Sequence, residues 1–497
     1  MNECGRTMFI LETTRASRRY EVSRAAVRFS GALSVALALW GCFTVGPDYV
    51  EPETRLPAAW SRELGGGLSA ASPAEDGLAR WWTVLGDPDL SALIERAAAG
   101  NRNLKVALAR VREARARRAI AEAGYFPQVN FTASAARSRG SEQTGAGETR
   151  ELYKTGFDAT WEIDVFGRVR RSVEAAQGDL EASVADYHDV LVTVLAEVAV
   201  NYVEARTLQA QLQVAEENVE AQTETLQLTE WRFEAGLVSR LDVEQARSNL
   251  ENTRAQLPRL RSDIEAARNR IAVLVGVHPG ALDAELSARK PIPQPPVEIA
   301  VGVPAETLRR RPDVRRAERQ LAAQTARVGV ATADLYPRLS LPGSIGLEAL
   351  SGDRLFSAGS RAASLAGSLV WTIFKGGAIR RAIEAQSALQ QQALEQYEAA
   401  VLTALEDVEN ALVAYAGEQE RQRALAEADQ AARHAAQLAR DQYASGLVDF
   451  QTVLDAERTS LASQDQLVQS RGRVASNLIA LYKSLGGGWT QLAGLQP

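Results

Sequence analysis

An internal repeat constrains the fold of this chain more than any other feature of its sequence. When the 497 residues are shifted by 210 positions, the chain aligns with itself without a gap from about 103 to 276. Trp161 then lies opposite Trp371, and Gly236-Leu237-Val238 lies opposite Gly446-Leu447-Val448. One duplicated unit of roughly 200 residues therefore explains the length, and both copies should adopt the same fold.

Each copy combines a helical stretch, an aromatic-proline break, two strand-like segments and long helices. The strand-like segments cover about 128–138 and 152–163 in the first copy, and about 338–350 and 362–373 in the second. In 128–138, apolar and polar residues alternate with the period of a strand. Such lengths match tilted transmembrane strands, although a soluble hairpin would show the same pattern.

Heptad spacing predicts coiled-coil helices in the rest of each copy. One series of apolar or small residues, each seven positions from the last, is Ala205, Leu212, Val219, Leu226 and Phe233. Gly236 and Gly446 then interrupt the helices, and new helices begin within a few residues. The sequence therefore predicts two helix–turn–helix tips, at 233–242 and 443–452.

Two strand pairs per chain create a problem that only several copies can solve. Four strands cannot close a membrane barrel, and an open sheet edge is not tolerated in lipid. Three copies would supply twelve strands, a number found in outer-membrane barrels. The predicted fold is mainly α with a membrane β-barrel part, in which a trimer shares one barrel and continues as an α-helical periplasmic tunnel.

The N-terminus indicates export and a lipid anchor. Basic residues precede a twelve-residue apolar run, Phe29 to Trp40, which is typical of a signal peptide over 1–41. The run ends in Leu39-Trp40-Gly41-Cys42, which resembles a bacterial lipobox. We expect Cys42 to carry acyl chains, and Phe43 at the next position is compatible with the outer membrane. The alternative is a plain signal peptide with a chance cysteine.

The predicted domains follow from the repeat and from composition. A lipid-anchored, extended segment covers 42–80, the first repeat covers 81–288, and the second repeat covers 305–487. Between the repeats, 289–304 is rich in proline and is expected to be extended. A short tail covers 488–497.

Composition excludes several classes of protein. Two cysteines and three scattered histidines rule out zinc modules, iron–sulfur clusters and disulfide scaffolds. A net charge of −6 makes nucleic acid a poor partner. No nucleophile, base or metal constellation is visible, so we expect neither enzymatic activity nor a cofactor.

Several motifs resemble those of TolC-type outer membrane efflux factors of the NodT/OprM lipoprotein family. The resemblance covers essentially 42–487, and its motifs are Val45-Gly46-Pro47-Asp48-Tyr49, Gly86-Asp87-Pro88-Asp89-Leu90, Trp161 to Arg168, and Arg309-Arg310-Arg311-Pro312-Asp313-Val314. The resemblance implies a homotrimer that docks with a periplasmic adaptor protein and an inner-membrane RND-type pump. It implies a passive exit duct for drugs or other small molecules, without a nucleotide site.

The resemblance also suggests where a gate would lie. By motif position, Tyr443 and Asp242 match residues that latch the closed tips of related ducts, and a hydrogen bond between them would join neighbouring hairpins. Asp455 matches an acidic constriction, where a trimer would form a ring of three carboxylates. Gln451 stands where some relatives narrow the pore with an apolar residue. The alternatives are an ordinary solvated tip and a solvated carboxylate.

Two other functions remain open at this stage. A TolC-like duct could serve protein secretion, and a lipid-anchored coiled-coil scaffold would need no pore. The lipobox and the NodT-type motifs favour efflux over secretion. The two hairpins with aromatic strand ends argue against a scaffold, because a scaffold needs no membrane strands.

Overall fold

A computed structural model describes residues 44–53, 56–71, 75–144, 147–296 and 298–489. The predicted signal peptide over 1–41 and the predicted lipidation site Cys42 lie outside the described residues, as does most of the tail over 488–497. Contacts divide the chain into two units. The first contains the chain up to Val50, Ala116–Gly178 and Ala322–Gln392, and the second contains the remainder.

Helices make up most of the described chain. In order they are α1 (Glu75–Ala79), α2 (Pro88–Gly100), α3 (Arg102–Glu122), α4 (Arg168–Glu234), α5 (Arg240–Arg254), α6 (Gln256–Val275), α7 (Asp283–Leu286), α8 (Pro304–Arg310), α9 (Pro312–Ala333), α10 (Ala378–Ala444) and α11 (Phe450–Ser484). Among the described residues, none of these helices combines the length and the apolar character needed to cross a membrane.

Strands are few and mostly lie in the first unit. They are β1 (Leu68–Ser69), β2 (Gln128–Arg139), β3 (Thr149–Ile163), β4 (Ile299–Ala300), β5 (Arg338–Ala349), β6 (Arg361–Leu365) and β7 (Ser368–Val370). The short strands β1 and β4 belong to the second unit, where they pair in parallel.

The backbone repeats itself at the offset found in the sequence, which confirms the tandem architecture. Helices α4 and α10 have 67 residues each and begin 210 positions apart. Strands β2 and β5 have 12 residues each at the same offset. The copies differ after the tips, where α11 is continuous but its counterpart is split at Ala255 into α5 and α6. Pro258 lies in the first turn of α6, where its missing N–H is tolerated, and its repeat equivalent is Val468.

The sheet of the first unit is antiparallel and has two chemically different faces. Its strands follow the order β2-β3-β5-β6, and β7 also pairs with β5. The register places Phe131, Phe157 and Ile345 in one exposed row across the sheet. The opposite face carries polar pairs, in which Lys154 Nζ lies 2.7 Å from Glu348 Oε1 and Ser344 Oγ lies 2.7 Å from Ser364 Oγ.

The fourth strand is shorter than the sequence pattern predicts. The expected strand over 362–373 is present as β6 and β7, separated by Ala366 and Gly367. Pro342 of β5 lies opposite this break, and its carbonyl accepts the Ala366 N–H at 2.9 Å. Because proline has no N–H, it cannot return that bond, and the ladder is interrupted here.

Tryptophans near the ends of β3 and β7 form hydrogen bonds to the aromatic-proline segment that precedes each pair of strands. Indole Nε1 of Trp161 donates to the carbonyl oxygen of Tyr125 at 2.9 Å, and Nε1 of Trp371 donates to that of Leu335 at 3.0 Å. The two donors are 210 positions apart, as are the two acceptors, so both copies form the same hydrogen bond.

Arg171 clamps the N-terminal segment of the first unit. It is 3 % exposed, donates to the carbonyl oxygens of Val45 and Gly46, and pairs with Asp48 Oδ1 at 2.6 Å. Gly46 has φ 88°, and a Cβ there would lie 2.4 Å from Gly329 Cα. The motif Val45 to Tyr49 thus reflects a close backbone approach and a buried cation.

The core of the second unit is built from residues of the other motifs. Trp81 and Trp82 are fully buried, and Trp81 stacks on Tyr482 with ring centroids 5.7 Å apart. Asp87 caps α2 through Oδ1 and accepts the hydroxyl of Tyr202 on Oδ2 at 2.7 Å.

Arg311 is the buried member of the basic run 309–311. It pairs with Asp313 and Asp407 at 2.7 and 2.8 Å, and it donates to the carbonyl oxygens of Ala404 and Ser484. Arg311 therefore has a structural role in this motif.

Replacing Arg171 by Ala should release the N-terminal segment. The change leaves the buried Val45 carbonyl oxygen without this donor, which costs about 1–3 kcal/mol. The repeat equivalent Arg381 is 81 % exposed and pairs with Glu384, so Arg381→Ala is a matched control. Limited proteolysis with mass spectrometry should show faster cleavage within 44–53 in Arg171→Ala only. Equal cleavage of both variants would contradict the clamp.

Candidate gate at the helix tips

Both helix tips turn in the same way. Gly236 and Gly446 have φ of 71° and 79°, a conformation that favours glycine. The N–H groups of Leu237 and Leu447 donate to the carbonyl oxygens of Arg232 and Gln442, both at 2.8 Å. These bonds form a Schellman ending, which satisfies carbonyls that a helix C-terminus leaves free.

The helices after the two tips, α5 and α11, are each capped by a hydroxyl residue and a carboxylate residue three positions apart. The hydroxyl comes first in α5, and the carboxylate comes first in α11. Ser239 caps α5 in a capping box, in which its Oγ accepts the Asp242 N–H at 3.3 Å and its N–H donates to Asp242 Oδ2 at 2.9 Å. Asp449 caps α11 and accepts from the N–H and hydroxyl of Thr452. The carboxylate difference between Asp242 and Thr452 therefore has a local role in helix capping.

Tyr443 is the centre of the apolar cluster at the tips. It is 1 % exposed, and its ring meets Phe450 edge to face with centroids 5.9 Å apart. Ala246, Ala439, Val453 and Leu454 complete the buried part of this cluster. The Tyr443 hydroxyl lies 3.5 Å from Thr229 Oγ1 on α4. Tyr443 thus connects the second tip to the first.

Sequence reasoning did not single out Arg232, which makes a second connection between the tips. Its guanidinium lies over the Tyr443 ring, 4.5 Å from the centroid, and Nη1 donates to the Tyr443 carbonyl oxygen. The signal was available in the repeat, because the equivalent residue is the uncharged Gln442.

The predicted latch residues each have another partner within the chain. Tyr443 contacts Thr229, and Asp242 accepts from Ser239 through Oδ2. The second carboxylate oxygen of Asp242 has the chemistry to accept a phenol proton. The Tyr443–Asp242 hydrogen bond therefore stays a prediction.

The predicted constriction residues lie next to each other on α11. Both Asp455 and Gln451 are exposed in the single chain, and Gln451 Nε2 donates to Asp455 Oδ1 at 2.9 Å. This bond orients the Asp455 carboxylate. The equivalent residue in the first copy is Gln245, so each chain supplies one acid at this level.

Each tip joins two helices into a helical hairpin: α4 with α5, and α10 with α11. A polar layer next to the apolar cluster around Tyr443 joins these two helical hairpins. Thr225 Oγ1 of α4 donates to Glu457 Oε1 of α11 at 2.6 Å, and Arg458 Nε donates to Asn249 Oδ1 of α5 at 3.2 Å. Glu457 is 5 % exposed. Burial raises the pKa of the Glu457 carboxyl, against the opposing effects of the Thr225 hydrogen bond and the Arg440 charge.

The same layer borders a cavity of about 350 Å³, lined by residues that include Gln222, Arg440 and Glu457. Among the described residues, neither amide atom of the buried Gln222 has a hydrogen-bond partner. The buried polar atoms of this layer are thus less completely hydrogen-bonded than those of an ordinary helix interface.

The described ranges contain no group of three or more His, Cys, Asp or Glu residues placed to hold a metal ion. His188 stacks on Trp489 with ring centroids 4.6 Å apart. Burial, together with the Arg315 charge, lowers the pKa of His188 to about 4. His188 is therefore a neutral packing residue at neutral pH.

Comparisons with known sequences agree with this geometry. The family described as "Outer membrane efflux protein" matches twice, over 93–277 and 303–487. The two matches are separated by the same 210 positions as the helices. The chain is 35% identical over 467 residues to the pyoverdine export outer membrane protein OpmQ of Pseudomonas putida, covering 92% of this chain and 97% of the relative. It is 31% identical over 457 residues to the cation efflux system protein CusC of Escherichia coli, covering 92% and 98%.

Solved structures give the same result. The outer-membrane channel OprN superposes with a TM-score of 0.85 at 39% identity, covering 90% of this chain and 99% of that one. The open state of the Neisseria gonorrhoeae MtrE outer membrane channel gives a TM-score of 0.80 at 29% identity, covering 90% and 99%. On the duplicated fold and on these matches, the chain belongs to the outer membrane efflux protein family.

Proposed function

We propose that this chain is the outer-membrane exit duct of a tripartite efflux pump, and that it works as a homotrimer with a periplasmic adaptor and an inner-membrane RND-type pump. The duct is passive, because the energy comes from the inner-membrane partner. It conducts drugs or other small molecules from the periplasm to the exterior.

The two-faced sheet is the observation that carries this proposal. One face exposes a row of Phe131, Phe157 and Ile345, which suits hydrocarbon, and the other face carries polar pairs, which suit an aqueous lumen. Among the described strands, β2 and β6 each pair on one side only. In lipid such edges need partners, and two further copies of the chain would supply them.

The lipid anchor at Cys42 belongs to the same proposal. Three residues later, Val45 donates its N–H to the carbonyl oxygen of Phe166 at 3.1 Å, just after β3 ends. An acylated Cys42 would therefore be tethered close to the end of a membrane strand. Two or three acyl chains on one residue give stable anchoring.

The tips are the proposed gate. Contacts of Tyr443 and Glu457 bring the two hairpins of one chain together. The predicted latch between Tyr443 and Asp242 would add a bond to a charged group, worth roughly 1.5–3 kcal/mol. In the trimer, Asp455 with its neighbour Gln451 would line the constriction, where three carboxylates would favour cations.

The efflux role is tested by deleting the gene and measuring accumulation of dyes, antibiotics and metals in the cells. We expect accumulation of at least one class to rise, because the exit duct is lost. Unchanged accumulation of all three with loss of an exported protein would favour a secretion duct. Heat-modifiable migration as a trimer in the outer-membrane fraction separates a duct from a scaffold.

Substitutions of Asp455 should separate the size of the constriction from its charge. In planar bilayers, Asp455→Ala should conduct more than the wild type and lose cation preference, because the side chain is both shorter and neutral. Asp455→Asn should lose cation preference and keep nearly the wild-type conductance. Gln245→Ala, at the repeat-equivalent position, is the control. Wild-type conductance and selectivity in both Asp455 variants would contradict the pore assignment.

Glu457→Gln should stabilise the closed tips at neutral pH. The raised pKa of Glu457 means that folding favours its protonated form, so its contribution is complete below the ordinary value of 4.5 and is lost as pH rises through the folded-state value. Glutamine keeps an oxygen that accepts from Thr225 and carries no charge. Thermal unfolding should show a higher melting temperature for the variant at pH 7.5 and none of this gain at pH 4.

The exposed Glu234, at the end of α4, provides the matched control Glu234→Gln. Its neutralisation removes no buried charge, so it should leave the melting temperature near that of the wild type at both pH values. A Glu457→Gln variant that melts below the wild type at pH 7.5 would show that the carboxylate stabilises the fold when charged.

A further inference from the structure

Arg232 contacts Tyr443 of the second tip in two ways, through the ring and through the backbone carbonyl. The guanidinium lies over the Tyr443 ring, and Nη1 donates to the carbonyl oxygen of the same residue. A Cβ on Gly446 would lie 3.7 Å from Nη2. The side chain starts in the last turn of α4, so it reaches from the first hairpin to the turn of the second hairpin.

The position of this cation suits the end of α10. The Tyr443 carbonyl belongs to the last turn of that helix, where carbonyl groups lack intrahelical partners and the helix dipole is negative. The Tyr443 carbonyl oxygen also accepts the Gly446 N–H at 2.9 Å. Arg232 thus acts as a C-terminal cap supplied by a different helix.

The guanidinium of Arg232 has few other hydrogen-bond partners in this position. Among the described residues, its Nε atom is buried without a hydrogen-bond partner. The ring and the carbonyl oxygen of Tyr443 therefore offset the partial burial of the guanidinium while the hairpins are together. Separation of the hairpins would return the guanidinium to water and uncover the end of α10.

The repeat shows that this contact is one-directional. The residue equivalent to Arg232 in the second copy is Gln442, and the residue equivalent to Tyr443 in the first copy is Phe233. Phe233 is exposed, whereas Tyr443 is buried. The first tip therefore holds the second, and within the described part of the chain no matching contact joins Gln442 to Phe233.

We propose that Arg232 is the positioning residue of the gate, which holds the second tip against the first within one chain and so keeps the duct closed. The proposal rests on the proposed function as a gated duct. Arg232 acts through Tyr443 and α10, and it does not need to line the pore.

The test uses the full-length trimer in planar bilayers. Arg232→Gln removes the charge and the planar contact with the Tyr443 ring, so the time-averaged conductance should rise several-fold. Arg232→Lys keeps a charge without the planar contact and should give an intermediate value. Arg247→Gln is the matched control, because Arg247 lies on the same hairpin, is half exposed and pairs with Glu230. It should conduct as the wild type does.

A crosslink distinguishes lost positioning from simple damage to the fold. Cysteines replacing Thr225 and Glu457, which hydrogen bond across the two hairpins, would join the hairpins when oxidised. In the Arg232→Gln background, oxidation should return the conductance to the wild-type level, and reduction should raise it again. A conductance that stays high after the crosslink forms would overturn the inference.

The remaining outcomes separate this inference from the function on which it rests. Wild-type conductance in Arg232→Gln, together with raised conductance in Asp455→Ala, would overturn the role of Arg232 and leave the duct intact. Absence of any conductance in wild-type trimers would overturn the duct and the gate with it. Should Arg232→Gln fail to form trimers, Arg232→Lys carries the test, and wild-type conductance in it would count against the inference.

Discussion

The open edges of the sheet are the constraint on which the rest of the proposed assembly depends. Backbone N–H and C=O groups have no water to bind in hydrocarbon, so an edge strand there must pair with another strand. One chain supplies too few strands to close a cylinder, and β2 and β6 each pair on one side among the described residues. The barrel can then be closed only by strands from further copies of the chain. Any lumen is therefore formed by the assembly and not by one chain. The proposed pore ring of Asp455 can form only in such an assembly.

Duplication gives the chain two copies of nearly the same backbone. The side-chain contacts specific to one copy occur at positions where the two copies differ in sequence. Arg171 is buried against the N-terminal segment, whereas Arg381 is exposed at the equivalent place. The same comparison sets Arg232 against Gln442, and Glu457 against Arg247. Because the turns and caps at both tips are alike, these substitutions change contacts without changing the path of the chain.

The sequence predicted the repeat, the long helices, the tip glycines and most of the strand positions, because each depends on local periodicity or on glycine at a positive φ. It did not predict the break between β6 and β7, since that depends on the missing N–H of Pro342 across the sheet. The difference between Arg232 and Gln442 was visible in the repeat, but the partners of Arg232 were not, because they depend on tertiary packing of two hairpins far apart in sequence. Asp242 was predicted as a latch by motif position, and the structure shows that it also takes part in capping α5.

The composition of the hairpin interface bears on how such a gate can open. Behind the small apolar cluster around Tyr443, the hairpins meet through Thr225, Glu457, Asn249 and Arg458. Separating apolar side chains costs about 25 cal/mol for each Å² exposed to water. Hydrogen-bonded polar groups exchange one partner for water, and the net loss per bond is only about 1 kcal/mol. A mostly polar interface therefore separates at low cost, so a few contacts such as that of Arg232 with Tyr443 are sufficient to decide whether the tips stay together.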